Sequence, residues 1–506
     1  MRQFSSYGPV DCEEHFCVER KGLVERCLEQ LIGNPEKGGH YFTLWAPRQT
    51  GKTWLMRQVE EKIKTRYKEK FSIHCFSLGN LRGMHFEPAS GMKIPVALSD
   101  VLELGLPGNP VVKTWKEFDR LFSKNKGLWK KPLILLIDEV DTAPPELLDL
   151  IVGRFREIYL DPRNNHLHGM AMIGVRAVLG VDSERGSPFN IQRSLHVPNF
   201  TREEVNDLFQ QYRDESGQEV EPEVVRRVFE YTRGQPGLVG WFGELLTEKF
   251  NPGRDKIIGV KIWNDTFRRA CTTEWNNTVL NLLKKSKGEY RSYIINLFSR
   301  SDIPFSIDTE WCNYAYLNGI IDIETMTDPQ GGVVEVCRFS SPFIQHRLYN
   351  ALTRDIIGER LPILALELTD RITDILNKTE FDLPGLMKRY KAYLRRLKNA
   401  GLNPWTNQPR RTDMHLTEAV GHFHLYAWLK EAVDGICRVS PEFPTGNGKV
   451  DLHIACGAKR GIIEVKSFTS LVKTESAKLQ AAAYAKSLSL DQALIALSVP
   501  WEMKMR

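Results

Sequence analysis

The stretch Ala46-Pro47-Arg48-Gln49-Thr50-Gly51-Lys52-Thr53 decides the fold of this chain. The apolar run before it, residues 40–45, predicts a strand, and the residues after it predict a helix. A strand, a loop and a helix in this order can curl backbone N–H groups around a phosphate at a helix N-terminus. We therefore predict that all eight residues bind ATP, with Lys52 on the β- and γ-phosphates and the Thr53 hydroxyl on Mg²⁺. Ala46 replaces the usual first glycine, and an ordinary strand-to-helix turn is the alternative.

A second motif ends the uninterrupted apolar run from Leu133 to Ile137. Such a run predicts a parallel strand that is buried on both faces, and ligands bind at the carboxyl ends of parallel strands. Asp138 and Glu139 follow immediately. We expect Asp138 to hold Mg²⁺ and Glu139 to polarise the attacking water. The alternative, that both acids only cap the next helix, is weakened by the phosphate-binding loop upstream.

The composition is that of an ordinary soluble protein. The chain has 506 residues, which suggests three or four domains. A net charge of +6 permits a nucleic-acid partner without requiring one. The N-terminus has no signal pattern and the apolar runs are too short for a bilayer, so we expect a cytoplasmic protein with no membrane contact. The nine cysteines form no CxxC pair, and we expect all of them to be reduced thiols.

Two arginines follow or precede apolar strands in the first half of the chain. Arg176 ends the predicted strand 169–175, and Arg193 leads into the predicted strand 195–198. Either arginine could contact a γ-phosphate, in cis or from a neighbouring copy in a homo-oligomer; a surface salt bridge is the alternative. Further along, Thr201 predicts a helix N-cap. The step Arg233-Gly234-Gln235-Pro236-Gly237 predicts a helix start or a plain inter-helix turn.

Taken in order, the motifs APRQTGKT, LILLIDEVD, SPFNIQR, NFTREEV and RGQPGLV resemble bacterial AAA-like ATPase domains related to the STAND and archaeal-type ATPases. The resemblance covers roughly residues 15–350. It implies an ATPase core at 1–200, a helical lid at 201–285 and a winged helix at 286–354, and alanine also occurs at the first loop position in that family. It assigns Gly234 and Pro236 to ATP binding as a second-sensor feature. Winged helices often bind DNA, but in such ATPases many only pack against the lid.

A basic helix is predicted within the helical linker 355–410. Residues 388–398 carry two tyrosines and six cations. Such a helix could follow a phosphate backbone. The alternative is a solvated face with Leu394 and Leu397 turned inward. The cations predicted to bind nucleic acid are Lys388, Arg389, Lys391, Arg395 and Arg396.

Residues 411–506 contain a second group of acids. Asp451 lies on the predicted strand 448–455, and Glu464 and Lys466 share one face of the next strand because side chains alternate. Two carboxylates and the Val465 carbonyl offer hard oxygen ligands for Mg²⁺ or Mn²⁺. Lys466 would orient water or stabilise developing charge during phosphodiester hydrolysis. A buried ionic cluster without catalytic function is the alternative.

This pattern resembles the PD-(D/E)xK nucleases. The resemblance implies that Glu418, on the preceding predicted helix, joins the metal site through water. It also implies catalytic roles for Gln480 and Tyr484, which match the QxxxY variant of the RecB-like branch; Val450 replaces the usual proline. The whole α/β multidomain chain resembles prokaryotic fusions of an AAA ATPase with such a nuclease.

That resemblance implies an ATP-regulated, Mg²⁺-dependent endo- or exonuclease, acting on DNA in preference to RNA, in defence against phage or mobile elements. A protein trigger is a further expected partner. The competing hypothesis is a non-enzymatic, ATP-switched DNA- or protein-binding regulator with an inactive nuclease-like tail.

Overall fold

The computed structural model describes residues 1–83, 93–175, 193–298, 303–327, 332–358, 382–401, 418–432, 437–445, 448–456, 459–467, 471–487, 490 and 493–498. The chain divides into two compact units. The first comprises Met1–Thr278 with Tyr314–Gly319, and the second comprises Val279–Asn313 with Ile320–Arg506. The finer domain boundaries given above stay predictions.

A five-stranded parallel sheet forms the centre of the first unit, as the sequence predicts. Across the sheet the strands follow the order β2-β3-β4-β1-β5, and every neighbouring pair is parallel. The loops that follow β1 and β3 therefore leave the same edge of the sheet. The strands are β1 (Tyr41–Trp45), β2 (Ser72–Ser77), β3 (Leu133–Asp138), β4 (Leu167–Gly174) and β5 (Arg193–His196).

Both faces of this sheet are buried. Leu133, Leu135 and Ile137 of β3 enter one hydrophobic core, and Ile134 and Leu136 enter the other. All five are at most 1% exposed. A strand of this kind needs an apolar residue at every position, which is why the run from 133 to 137 contains no polar residue.

Five helices are interspersed with these strands along the chain, and four more follow the last strand. Those interspersed with the strands are α1 (Lys21–Ile32), α2 (Lys52–Arg66), α3 (Val96–Gly105), α4 (Trp115–Leu121) and α5 (Pro145–Leu160). Those after the sheet are α6 (Arg202–Ser216), α7 (Pro222–Thr232), α8 (Pro236–Glu244) and α9 (Val260–Thr272). Thr201 caps α6, and its side chain accepts from the backbone N–H of Glu204 while the Glu204 carboxylate accepts from that of Thr201, as a capping box requires.

Residues 277–399 contain helices and one antiparallel hairpin. The hairpin pairs β6 (Ile321–Thr327) with β7 (Val333–Phe339), as the sequence predicts. The turn at 328–331 lies outside the described residues, and the winged-helix assignment stays a prediction. The helices are α10 (Asn277–Ser286), α11 (Arg291–Asn296), α12 (Glu310–Leu317), α13 (Pro342–Gly358) and α14 (Leu383–Asn399).

The C-terminal region of the second unit is a four-stranded sheet with two helices. The strand order is β11-β10-β9-β8, antiparallel except for the parallel pair β10–β11. The elements are α15 (Glu418–Ala432), β8 (Arg438–Thr445), β9 (Gly448–Cys456), β10 (Lys459–Ser467), α16 (Leu471–Ser487) and β11 (Ala493–Ser498). The two helices and two strands predicted around the second acidic group are present in the predicted order, with an additional strand, β8, between α15 and β9.

The expectation that every cysteine is reduced is wrong. Disulfides join Cys12 to Cys17 and Cys437 to Cys456. The second follows from strand register, because β8 and β9 pair so that these two cysteines lie opposite each other, with Cα atoms 4.4 Å apart. A search for CxxC pairs does not detect either spacing. In the described part of the chain, no helix is long and apolar enough to cross a bilayer.

Candidate functional site

The loop between β1 and α2 encloses the amino group of its own lysine. Gly51 has a φ of 82°, a left-handed conformation that glycine adopts without steric cost, and α2 begins at the next residue. Lys52 Nζ donates to the carbonyl oxygens of Ala46 at 2.8 Å and Pro47 at 2.7 Å. Burial lowers the pKa of Lys52 to about 8, and the negative charge of Asp141 opposes that shift. The ammonium thus lies within the curl of the loop, where a bound phosphate would offset its burial.

The two residues predicted to bind Mg²⁺ in the first unit are in contact. The Thr53 hydroxyl donates to Asp138 Oδ2 at 2.9 Å, and the Glu139 N–H donates to Asp138 Oδ1 at 2.8 Å. Burial is the largest influence on Asp138 and raises the pKa of its carboxyl, while both hydrogen bonds lower it. A hydroxyl beside a carboxylate at a helix N-terminus is a donor set that fits Mg²⁺.

Glu139 adopts a left-handed backbone conformation with φ of 54°. Its Oε2 accepts a hydrogen bond from the Ser77 hydroxyl at 2.7 Å, at the end of β2. A Cβ on Gly79 would lie 2.0 Å from the same oxygen, so a larger residue there would displace the Glu139 carboxylate. The sequence analysis did not identify Ser77. Its one signal was its position at the carboxyl end of a strand neighbouring β3.

Asp141, three residues after the end of β3, contacts the chain directly after β4. Its Oδ1 accepts from the Val175 N–H at 2.8 Å, directly after β4. A Cβ on Gly174 would lie 2.2 Å from this oxygen, so the close approach depends on glycine. The sequence analysis gave Asp141 no function, although its charge also acts on Lys52.

The turn before α8 contacts the loop between β1 and α2. Gln235 Nε2 donates to the carbonyl oxygens of Arg48 and Gln49, each at 3.1 Å, and the Gly237 N–H donates to Gln49 O at 3.0 Å. Gln235 Oε1 accepts from the N–H of Leu238, so the same side chain caps α8. The predicted helix start at Pro236 is confirmed. The residues that contact the loop are Gln235 and Gly237, and neither of them was among the predicted sensor residues.

The residues predicted to sense nucleotide differ in their surroundings. Pro236 lines the pocket described next, whereas the carbonyl of Gly234 accepts from the Phe200 N–H at 2.8 Å. Gly234 has a φ of 70°, and a Cβ there would lie 2.0 Å from Phe200 O. For Arg193 the structure describes the backbone at the start of β5 but not the side chain, and Arg176 lies outside the described residues.

An open, largely apolar pocket with a cavity volume of about 110 Å³ adjoins the loop. Its lining comes from the N-terminal segment, α2, the α6–α8 region and the loop itself, and includes Tyr7, Val10, Trp54, Phe200 and Gly237. Apolar walls with a few polar groups suit a flat heterocycle. The sequence analysis missed this pocket because its walls come from distant segments that share no motif.

The second group of acids comes together at the β9–β10 strands. Lys466 Nζ lies 3.6 Å from Asp451 Oδ2 and 3.4 Å from Glu464 Oε2. Asp451 Oδ2 also accepts from the Val465 N–H at 2.7 Å. The predicted shared face of Glu464 and Lys466, with Asp451 beside them, is therefore the arrangement that the structure describes.

Glu464 is buried, with 1% of its side chain exposed. Burial, followed by the negative charge of Asp451, raises its pKa to about 8, and Lys466 opposes the shift. Its Oε1 has no hydrogen-bond partner among the described residues. A buried carboxylate oxygen without a donor is costly, and a divalent cation would satisfy it, so this donor set fits Mg²⁺ or Mn²⁺.

The other predicted members of this site are less well defined. Glu418 begins α15 and Tyr484 lies on α16, but the structure describes only their backbones. Gln480 is exposed on α16. Val465 donates its N–H to the Asp451 carboxylate, and the role of its carbonyl as a metal ligand stays a prediction. No group of three or more His, Cys, Asp or Glu residues within the described ranges is arranged to hold a metal.

The basic helix α14 differs from its predicted orientation. Tyr390 and Tyr393 are buried together with Leu386 and Leu397, so the tyrosines are core residues and cannot stack on bases. Leu394, expected to face inward, is only half-buried. The spacing of the buried positions gives the helix one apolar stripe, and the cations lie off it.

The five predicted nucleic-acid cations of α14 divide into two groups. Lys388, Lys391 and Arg395 are exposed, and their spacing places them along one side of the helix. Arg389 and Arg396 are half-buried, and the Arg396 guanidinium lies 5.6 Å from the centre of the Tyr393 ring. A phosphate backbone would therefore meet mainly the first group.

No protein-family model matches this chain, and no curated protein matches it. Among solved structures, a Walker-type ATPase of Pyrococcus abyssi is 13% identical, with 68% of this chain and 99% of that chain covered and a TM-score of 0.44. The RuvB Holliday junction branch migration motor of Thermotoga maritima is 15% identical, with 63% and 92% covered and a TM-score of 0.35. The Orc1 protein of Aeropyrum pernix, solved in complex with DNA, is 14% identical, with 68% and 95% covered and a TM-score of 0.32. Likenesses of this size carry no functional argument.

Proposed function

We propose that the first unit binds and hydrolyses ATP. The observation that carries this proposal is the contact of Thr53 with Asp138 beside the enclosed ammonium of Lys52. Lys52 would hold the β- and γ-phosphates, and Thr53 and Asp138 would hold Mg²⁺, which neutralises phosphate charge when bound. Glu139 would orient the attacking water once its carboxylate leaves Ser77. The apolar pocket beside Tyr7 would take the adenine.

We propose further that the second unit is a nuclease that depends on Mg²⁺ or Mn²⁺. The observation that carries this proposal is the buried Glu464 carboxylate, whose Oε1 has no hydrogen-bond partner among the described residues, beside Asp451 and Lys466. A bound divalent cation would polarise the phosphodiester and supply a nucleophile at neutral pH. Asp451 and Glu464 would hold that cation. Lys466, within 4 Å of both, would stabilise the negative charge that develops on the phosphate.

DNA is the proposed substrate, in preference to RNA. The exposed cations of α14 support a phosphate-backbone partner, since Lys388, Lys391 and Arg395 lie on one side of the helix. The preference for DNA, the homo-oligomer, the protein trigger and the defence role against phage or mobile elements stay predictions from sequence resemblance alone.

The test is a cleavage assay with Mg²⁺ or Mn²⁺ on single- and double-stranded DNA and RNA, each with ATP, ADP or no nucleotide. We expect cleavage that is lost in Asp451→Ala, Glu464→Ala and Lys466→Ala, and that changes several-fold with nucleotide. Exposed Glu475 provides the control, because Glu475→Ala removes an acid of the same unit away from the cluster. Nucleic-acid binding without cleavage under any condition would instead favour the ATP-switched regulator. Cleavage that survives in Asp451→Ala would place the active site elsewhere.

A further inference from the structure

His422 on α15 takes part in two hydrogen bonds, one through each ring nitrogen. Its Nε2 lies 2.8 Å from the main-chain oxygen of Asp451, and its Nδ1 lies 2.8 Å from the Tyr349 hydroxyl. A carbonyl oxygen only accepts, so Nε2 carries the proton and donates. In the neutral ring Nδ1 is then the acceptor, and the Tyr349 hydroxyl lies within donating distance of it. Tyr349 thereby selects the tautomer that holds Asp451.

Asp451 lies at a gap in the described strand pairing of β9. The described register of β9 with β10 ends at Leu452, and the register of β9 with β8 passes from Leu452 to Val450. At this position His422 donates to the main-chain oxygen of Asp451. At the other end of the residue, Val465 N–H holds the Asp451 carboxylate. The acid is fixed through both its main chain and its side chain.

We propose that His422 and Tyr349 are positioning residues that fix Asp451 for cation binding in the second unit. The inference rests on the proposed nuclease function, because it assigns Asp451 to a metal site. Partners that orient a metal ligand typically change metal affinity or activity by about 10- to 100-fold when they are removed. His422 contacts the main chain of Asp451 and Tyr349 contacts His422, so both act through Asp451.

The same helix provides a matched control. The Tyr390 hydroxyl lies 2.6 Å from Nδ1 of His424, and both residues are buried. This bond joins α15 to α14 and involves no acid of the cluster. Tyr349→Phe and Tyr390→Phe each remove one hydroxyl from a buried tyrosine–histidine pair. We expect similar losses of thermal stability, so any difference in cation binding reports on Asp451.

The experiment measures Mn²⁺ binding by calorimetry and DNA cleavage in the full-length protein without nucleotide. Only the Mn²⁺ binding that Asp451→Ala abolishes is counted. We expect Tyr349→Phe to weaken both quantities by about 10-fold, and Tyr390→Phe to change each less than twofold. His422→Gln, which keeps an N–H at the reach of Nε2, should retain more affinity than His422→Leu. This second pair decides the matter if Tyr349→Phe does not fold.

The outcomes separate the inference from the function on which it rests. Equal Mn²⁺ affinities in Tyr349→Phe and Tyr390→Phe, or in His422→Gln and His422→Leu, overturn the positioning assignment even if the wild type cleaves DNA. A wild type that binds Mn²⁺ but cleaves nothing overturns the nuclease proposal. The Mn²⁺ affinities of the variants then still decide whether His422 positions Asp451. A wild type without Mn²⁺ binding at Asp451 overturns both.

Discussion

Replacing Glu464 with glutamine should stabilise the metal-free protein at alkaline pH. Burial and Asp451 raise the pKa of Glu464 from 4.5 to about 8. The folded protein therefore keeps this proton up to pH about 8, whereas the unfolded chain releases it near the ordinary value. Folding takes up a proton in that window, so wild-type stability falls as pH rises from about 4.5 to about 8 and stays level above it. Glutamine carries no charge at any pH, so Glu464→Gln removes this contribution to the dependence of stability on pH.

The size of the effect follows from the same shift. At 1.36 kcal/mol per pKa unit, the raised pKa of Glu464 corresponds to at most about 5 kcal/mol above pH 8. Lys466 loses an ion-pair partner in the variant, which offsets part of this gain. We expect a net stabilisation of about 2 kcal/mol, or about 4 to 8 °C in melting temperature for a unit of some 200 residues. Near pH 5 the variant and the wild type should melt within about 2 °C of each other.

The assay is thermal unfolding with a chelator from pH 5 to pH 9, repeated with Mn²⁺ at pH 8. Mn²⁺ should raise the melting temperature of the wild type, because it replaces the proton on Glu464, and should leave Glu464→Gln unchanged. Glu475→Gln is the control, since Glu475 is exposed and paired with Lys478. Parallel pH profiles for wild type and Glu464→Gln, or an equal gain in Glu475→Gln, would refute the reasoning.

Three further predictions concern the nucleotide site and α14. Lys52→Ala should abolish ATP binding measured by calorimetry, whereas Glu139→Gln should bind ATP normally and lose turnover; equal turnover in wild type and Glu139→Gln would contradict the assignment of Glu139. Ser77→Ala removes a hydrogen bond to a charged group, worth about 1.5–3 kcal/mol, and should raise steady-state ATP turnover by about tenfold; a lower turnover would mean that Ser77 orients Glu139 for hydrolysis. Reversing the charges of Lys388, Lys391 and Arg395 should flatten the slope of log affinity for DNA against log salt by about one unit per lost contact, and an unchanged slope would leave α14 as a solvated face.

The parts that sequence predicts well are those in which neighbours in the chain are also neighbours in space. The phosphate-binding loop places Lys52 and Thr53 by local geometry, and β3 is recognisable because burial on two faces demands an unbroken apolar run. The order of Asp451, Glu464 and Lys466 is visible because strand alternation fixes which side chains share a face.

The parts that sequence reasoning missed depend on long-range packing. Nothing local separates His422, which contacts Asp451, from His424, which contacts Tyr390. Ser77 and Glu139 meet only because β2 and β3 are neighbours in the sheet. The tyrosines of α14 are a different case. Tyr390 and Tyr393 fit the helical spacing of the apolar stripe, so their burial was already readable from the sequence.

The contact between the α8 turn and the phosphate-binding loop has a consequence for sequence drift. Gln235 and Gly237 bind only the main-chain carbonyls of residues 48 and 49, so these hydrogen bonds do not depend on which side chains occur there. A lineage can therefore exchange Arg48 without losing them. Gly237 has no such freedom, because a Cβ there would lie 2.6 Å from the Gln49 side chain. At this one interface, position 48 of the loop therefore tolerates many side chains, whereas position 237 of α8 tolerates few.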